Sequence, residues 1–234
     1  MMDKTALPQE HILELSLNGE LDLTLICSND SLPELITGYL YNEGLINQSE
    51  DILSLDLAGD GSSAKVSLAA LDAAGTHVVR ASGLGSPLLT IKPGLCRRPV
   101  LRRYSKEYIL SCAADMDSAA RIYSRTGGVH CAALFDGQRR LSLYEDIGRH
   151  NTLDKLTGDR LLRRLDTADT LLLTTGRISG DMVRKAGKTG VSCIASYSTA
   201  TSLALEYAES AGITLIAYIK GGKFAVYCGE ERLA

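Results

Sequence analysis

Between Thr126 and Lys155 the chain runs Thr-Gly-Gly-Val-His, then a short hairpin pattern, then Glu-Asp-Ile-Gly-Arg-His-Asn-Thr-Leu-Asp-Lys, and this stretch holds two of its four histidines. Thr126, Gly127 and Gly128 precede His130, and two glycines in a row suit a tight turn or a close approach of backbone to a ligand. Asp146, Gly148, Arg149 and His150 then gather acid, base and bend just ahead of a helical pattern. A third polar run, Thr174-Thr175-Gly176-Arg177-Ile178-Ser179, follows an apolar strand and opens a helix. Its N–H groups, hydroxyls and Arg177 suit a phosphate. Ser198 and Thr201 sit at a fourth, weaker position of that kind. Asp146 and Asp154 have a plainer reading as caps or ion-pair partners, and Lys155 reads as solvated helix surface.

The elements that must position these residues follow from periodicity. Leu13, Leu15 and Leu17 alternate with polar residues, as do Leu21, Leu23 and Leu25. A two-residue loop would split their apolar face, so a three-residue loop, Asn18-Gly19-Glu20, is expected, with Leu15 opposite Leu23. Ser31 is expected to cap a helix with Glu34 three residues on and Pro33 in its first turn. Strands at 52–57 and 64–70 complete a small α+β unit. From Gly83 to Ser105 the texture turns to Gly, Pro and Arg, which marks a boundary. Beyond it, one long helix from Ser105 through Tyr123 is expected, then a hairpin, His130–Phe135 with Arg140–Tyr144. Helices at 149–162, 179–188 and 200–211 alternate with strands Leu171–Leu173, Val191–Ser196, Thr214–Ile219 and Lys223–Cys228. Apolar strands alternating with helices imply an α/β sheet covered on both faces. Ligands of such sheets gather beyond the carboxyl ends of the strands, where the polar runs fall.

With 234 residues, 45% of them hydrophobic and 23% charged, the chain reads as an ordinary globular protein. A net charge of −3 gives no general attraction to nucleic acid, and the basic run near Arg97 lacks aromatic interleaving. No apolar stretch of signal or membrane-spanning length opens the chain, so membrane insertion is not expected and a cytoplasmic location is. Cysteines stand at 27, 96, 112, 131, 193 and 228, without a CxxC, so no bound zinc or other metal is expected. Most fit as small buried hydrophobes. Cys96 does not, because Arg97, Arg98, Arg102 and Arg103 follow it, and nearby cations favour the thiolate.

Several runs together resemble the formate dehydrogenase accessory protein family, FdhD/NarQ. They are Thr-Gly-Gly-Val-His-Cys-Ala-Ala (126–133), Glu-Asp-Ile-Gly-Arg-His-Asn-Thr-Leu-Asp-Lys-Leu (145–156), Thr-Gly-Arg-Ile-Ser-Gly-Asp-Met-Val-Arg-Lys-Ala (175–186) and Thr-Leu-Ile-Ala-Tyr (214–218). Gly38-Tyr39-Leu40 and Asn42-Glu43-Gly44-Leu45-Ile46 extend the likeness toward the N-terminus. The resemblance implies a sulfurtransferase that takes persulfide sulfur from a cysteine desulfurase and passes it to the bis-guanylyl molybdenum cofactor of formate dehydrogenase or a related molybdoenzyme, and it implies a homodimer. It also implies a cytidine deaminase-like three-layer α/β domain at 105–234, a smaller α+β domain at 1–90 and a Cys/Arg loop at 91–104. Deamination itself is excluded: His130 is followed by Cys131-Ala132, not H-x-E, and the cysteine pair for zinc is missing.

The family's loop carries Cys-Gly-x-Cys-Gly, against which Lys92-Pro93-Gly94-Leu95-Cys96-Arg97 leaves Cys96 at the second cysteine and Pro93 at the first. A dithiol relay is lost, while a single-cysteine persulfide carrier stays chemically feasible. Cys96 is therefore the candidate catalytic residue. Thr126, Gly127, Gly128, His130, Asp146, Gly148, Arg149, His150, Thr175, Gly176, Arg177, Ser179, Ser198 and Thr201 are the candidate cofactor-binding residues. A cofactor-holding chaperone that moves no sulfur is the competing reading, and Cys96 is the residue that separates the two.

Overall fold

The structure is a computed structural model that describes residues 7–70, 102–137 and 139–234. Near the N-terminus, β1 (His11–Leu17), β2 (Leu21–Cys27), β3 (Ile52–Leu57) and β4 (Ser63–Leu68) form a four-stranded sheet in the order β2-β1-β4-β3, covered by α1 (Leu32–Glu43). Leu15 pairs with Leu23 across the expected three-residue loop, where Asn18 and Gly19 take φ of 52° and 69°. The continuous leucine face this register creates packs on Leu35, Ile36 and Leu40 of α1. Ser31 stands at the start of α1 but makes no side-chain cap; its backbone is left-handed, and its carbonyl accepts from Leu35 N–H instead.

The second sheet has six strands in the order β10-β9-β8-β7-β5-β6. They are β5 (His130–Phe135), β6 (Arg140–Asp146), β7 (Thr170–Thr174), β8 (Val191–Ser196), β9 (Thr214–Lys220) and β10 (Lys223–Cys228). β7, β8 and β9 run parallel, and β5, β6 and β10 are antiparallel to their neighbours. α4 (Arg149–Arg163), α5 (Gly180–Thr189) and α6 (Ser202–Ala211) lie on one face, and α2 (Lys106–Ala119) on the other. The expected single helix from Ser105 is broken at Ala120 (ψ 89°), and α3 (Arg121–Thr126) starts afresh. The physical cause is Glu145 of β6, whose carboxylate accepts from Ile122 N at 3.0 Å and Tyr123 N at 2.5 Å and so caps a new helix from outside.

The two sheets are fastened to each other by α1 and α4, which cross at glycines. A Cβ on Gly38 would lie 1.8 Å from the Asp154 carbonyl oxygen, and one on Gly158 would lie 1.9 Å from that of Glu34. Backbone therefore touches backbone. Across this crossing Asn42 donates to Asp154 Oδ1 at 2.7 Å, and Lys185 pairs with the same carboxylate at 2.9 Å. Every residue of α4 from His150 to Asp159 is consequently buried, polar ones included. Gly38→Ala or Gly158→Ala must push the helices apart, at a cost of roughly 3 kcal/mol. Scanning calorimetry should read each as a fall in Tm of roughly 6–12 °C.

Candidate functional site

Strand polarity brings the polar runs to one rim. The carboxyl ends of β6, β7, β8 and β9 and the amino end of β5 share this rim. Ala132 pairs with Thr174 and Thr174 with Ser196, so His130, Gly176 and Ser198 stand at one level just beyond. Thr175 continues the ladder, its N–H donating to Cys131 O at 2.9 Å while its hydroxyl accepts from Cys131 N at 3.0 Å.

A cluster of cations sits at that level. Gly176 lies so close that a Cβ there would be 2.9 Å from Arg149 Cβ and 3.3 Å from His130 Nδ1. Only glycine lets the β7–α5 turn nest against both. Burial, and then the neighbouring Arg177 charge, push the Arg149 pKa down. Burial, Arg149 and His150 do the same to His130. Arg149 Nε is buried with no hydrogen-bond partner, and among the described residues neither Arg149 nor Arg177 lies within ion-pair distance of a carboxylate. Arg149 and His150 also open α4, whose first turn holds no acid, so they stand at the positive end of its dipole. Such an arrangement favours a multiply charged anion such as a phosphate.

Other candidates are engaged by the fold itself. Thr126 donates to Ile122 O and accepts from Gly128 N; Gly127 is the left-handed end of α3, and Gly128 packs on Pro8. Ser179 and Thr201 cap α5 and α6 through Met182 N and Ala204 N. Asp146 is wholly buried, and its oxygens accept from Gly148 N, Asn151 Nδ2, Ser28 N and Lys155 Nζ. It positions the site rather than facing a ligand. Lys155, expected in solvent, has no exposed surface: its ammonium lies 2.8 Å from Asp146 and also contacts Asp30 of the N-terminal unit. The driving cause is the α1–α4 crossing, which leaves this face of α4 no water. Cys96, with most of the 91–104 loop, lies outside the described residues.

The family-model comparison matches the FdhD/NarQ family over residues 8–234. The chain belongs to the FdhD/NarQ family. It is 33% identical to "Sulfur carrier protein FdhD" of Bacillus subtilis over 236 residues, covering 96% of this chain and 88% of that one. To the protein of the same name from Thermoplasma acidophilum it is 35% identical over 216 residues, 85% and 74% of the respective chains. Its fold matches, at a TM-score of 0.80 and 24% identity over 97% of this chain and 90% of the other, a crystal structure assigned as a formate dehydrogenase accessory protein from Desulfotalea psychrophila.

Sequence reasoning missed two residues that the structure places at this candidate site. Asp181 meets His150 Nδ1 at 3.0 Å, yet an acid in the first turn of a helix reads as an ordinary dipole partner. Tyr218 has φ 56° at a bulge in β9, where Lys223 faces Lys220 but Ala225 faces Ala217. The bulge keeps Ile219 in the same core as Ile216 and turns Tyr218 out, 53% exposed, with its N–H on Ser198 O. Left-handed bulge positions favour glycine, so a tyrosine here is re-aimed at the rim at some cost in strain.

Among the described residues no group of three His, Cys, Asp or Glu side chains is placed to hold a metal ion, and no helix is long and apolar enough to cross a membrane. Lys155→Met strands the buried Asp146 carboxylate and is expected to cost about 3–5 kcal/mol. In urea denaturation the midpoint should fall accordingly, while breaking the exposed Arg164–Glu50 pair by Arg164→Ala leaves it nearly unchanged.

Proposed function

We propose that this chain is a sulfur carrier for formate dehydrogenase maturation: it takes persulfide sulfur from a cysteine desulfurase, carries it on Cys96 and passes it to a bis-guanylyl molybdenum cofactor held at the rim. The observation that carries the binding half is the half-buried Arg149, its buried Nε without a hydrogen-bond partner, beside Arg177 and His130 and nested on Gly176. These residues fit a phosphate, and would hold the pyrophosphate of the cofactor. Tyr218 and Tyr227, stacked edge to face with centroids 6.5 Å apart, offer an aromatic surface to a guanine. From His130 to Tyr218 is three strand spacings, roughly 14 Å, the scale of a nucleoside diphosphate. The sheet with helices on both faces also supports a cytidine deaminase-like fold that holds a nucleotide without zinc.

The transfer half rests on thiol chemistry. As a thiolate, Cys96 attacks the terminal sulfur of the donor persulfide. A new S–S bond forms on Cys96 while the donor's S–S bond breaks, and the donor cysteine leaves as thiolate. The five described cysteines are poorly suited to that attack. Burial first, helped by nearby acids, raises Cys27 and Cys131 to about 12, and burial raises Cys112 and Cys228 to about 11 and Cys193 further still. Cys228 donates its S–H to Ile213 O at 3.4 Å. The names of the relatives, sulfur carrier proteins, support the same reading.

Incubation with a cysteine desulfurase and cysteine, followed by peptide mass spectrometry, should place one added sulfur on Cys96 and none on the protein after Cys96→Ala. Loading of another cysteine, or of none while a two-cysteine relative is loaded under the same conditions, refutes transfer and leaves the cofactor-holding chaperone. Independently, Arg149→Ala should weaken GDP binding roughly tenfold or more in calorimetric titration, since a charged hydrogen bond to phosphate is removed.

A further inference from the structure

Asp181 is held from two sides. Its Oδ2 meets His150 Nδ1 at 3.0 Å, and its Oδ1 accepts from Arg184 Nε at 3.0 Å and Nη2 at 2.7 Å. Arg184 is itself anchored on α1, donating from Nη1 to Asn42 O at 2.7 Å. The carboxylate thus has little freedom to turn. Burial alone would raise its pKa, but the His150 hydrogen bond and the Lys185 and Arg184 charges hold it far below the usual carboxylate range. An ionised carboxylate only accepts, so the proton between the two groups sits on His150 Nδ1. Nε2 is left as the ring's lone-pair nitrogen. Among the described residues no protein atom hydrogen-bonds to Nε2, and the ring stands near enough to the cation cluster to lower the pKa of His130.

Charged groups surround the Asp181–His150 pair and the neighbouring cation cluster. Arg149 comes from the helix of His150, His130 from β5, Asp146 from β6 and Arg177 from the turn after β7. Asp181, Arg184 and Lys185 come from α5 and Glu43 from α1. Two positive groups at the rim, Arg149 and Arg177, lack carboxylate partners among the described residues, and burial beside them disfavours a further charge on His130. A bound dianion would supply the missing negative charge and make room for one more proton.

We propose that Asp181 is a positioning residue of the anion cluster: it locks His150 as the Nδ1–H tautomer, so that Nε2 takes up a proton from solvent as a phosphoryl oxygen binds and donates it in a hydrogen bond to that oxygen. The assignment rests on the phosphate-holding reading above and adds its proton linkage. No bond other than N–H is made, and the proton returns to solvent when the anion leaves. Binding is therefore tighter in mild acid than in mild alkali.

The chain has four histidines, so ring ¹⁵N spectra of the labelled protein are simple, and His150→Gln identifies the His150 signals by their loss. The wild type should show neutral His150 as Nδ1–H, Asp181→Asn should lose that preference, and Asp181→Glu should restore it. Titration with sulfate, which does not itself titrate near neutrality, in buffers of different ionisation heat should show uptake of up to one proton per anion. His150→Gln should abolish the uptake, and Asp181→Asn should weaken sulfate roughly tenfold in mild acid with little effect in mild alkali. His150→Gln provides the same test where Asp181→Asn fails to fold. Sulfate binding without proton uptake, uptake that survives His150→Gln, or an Nδ1–H tautomer that survives Asp181→Asn overturns the assignment alone. Failure of sulfate to bind a protein that binds GDP also overturns it, by removing the phosphate contact; failure of both anions to bind sinks the phosphate reading as well.

Discussion

Lys155 and Asp146 are both sealed from water, and the geometry of the rim follows from where their ion pair puts the chain. One Asp146 oxygen takes the Lys155 ammonium and the Ser28 N–H, which ties the end of β6 to the loop after β2. The other takes Gly148 N and Asn151 Nδ2, which sets the first turn of α4 and with it the backbone of Arg149 and His150. A buried ion pair contributes little net stability against a well-packed apolar alternative, because desolvation offsets most of its attraction. Its effect here is registry. Both carboxylate oxygens are satisfied only in one relative placement of the two sheets and one entry angle of α4.

That placement produces the opposite condition a few ångströms away. Around Asp146, Asp154 and Asp181 each carboxylate meets a cation or an imidazole, whereas Arg149 and Arg177 meet no acid among the described residues. The buried carboxylates beneath the rim are thus matched by cations or an imidazole, while the two arginines at the rim are not. An unpaired buried guanidinium nitrogen is costly, and a cation at the positive end of a helix adds to that cost. A ligand of opposite charge would relieve such an imbalance, which is the physical ground of the phosphate-holding proposal.

Much of this was legible in the residues. The Leu15–Leu23 register follows from face continuity, because slipping one residue would turn half the leucines to solvent. Val191–Ser196 and Lys223–Cys228 are strands with the expected ends, since β-rich runs that start after Gly190 and Gly222 leave little choice. Lys155 was not legible. Its partners Asp146 and Asp30 are 9 and 125 positions away, and a lysine on a polar helix reads as surface until a glycine crossing shows that the helix has no free face. The break at Ala120 was hidden for the same reason, its cause being a carboxylate on a strand 22 residues beyond Tyr123. Tyr218 escaped because bulges are defined by two strands, and strand alternation within β9 alone puts its side chain inside.

The thiols show how the same packing bears on sulfur chemistry. A carrier that handles persulfide must offer one reactive sulfur and withhold the rest, since any thiolate in reach of a persulfide exchanges with it. Burial accomplishes the withholding: Cys27, Cys112, Cys131 and Cys193 lie inside the two sheets' cores, where the charged form is disfavoured. Cys27 is the instructive case, because Lys155 acts to lower its pKa and still loses to desolvation and Asp146. A nearby cation therefore does not by itself make a nucleophile; it must act on a thiol that water can reach. The arginines after Cys96 meet the first half of that requirement in sequence, and exposure of Cys96 to the persulfide donor is the condition that decides whether their charge is used.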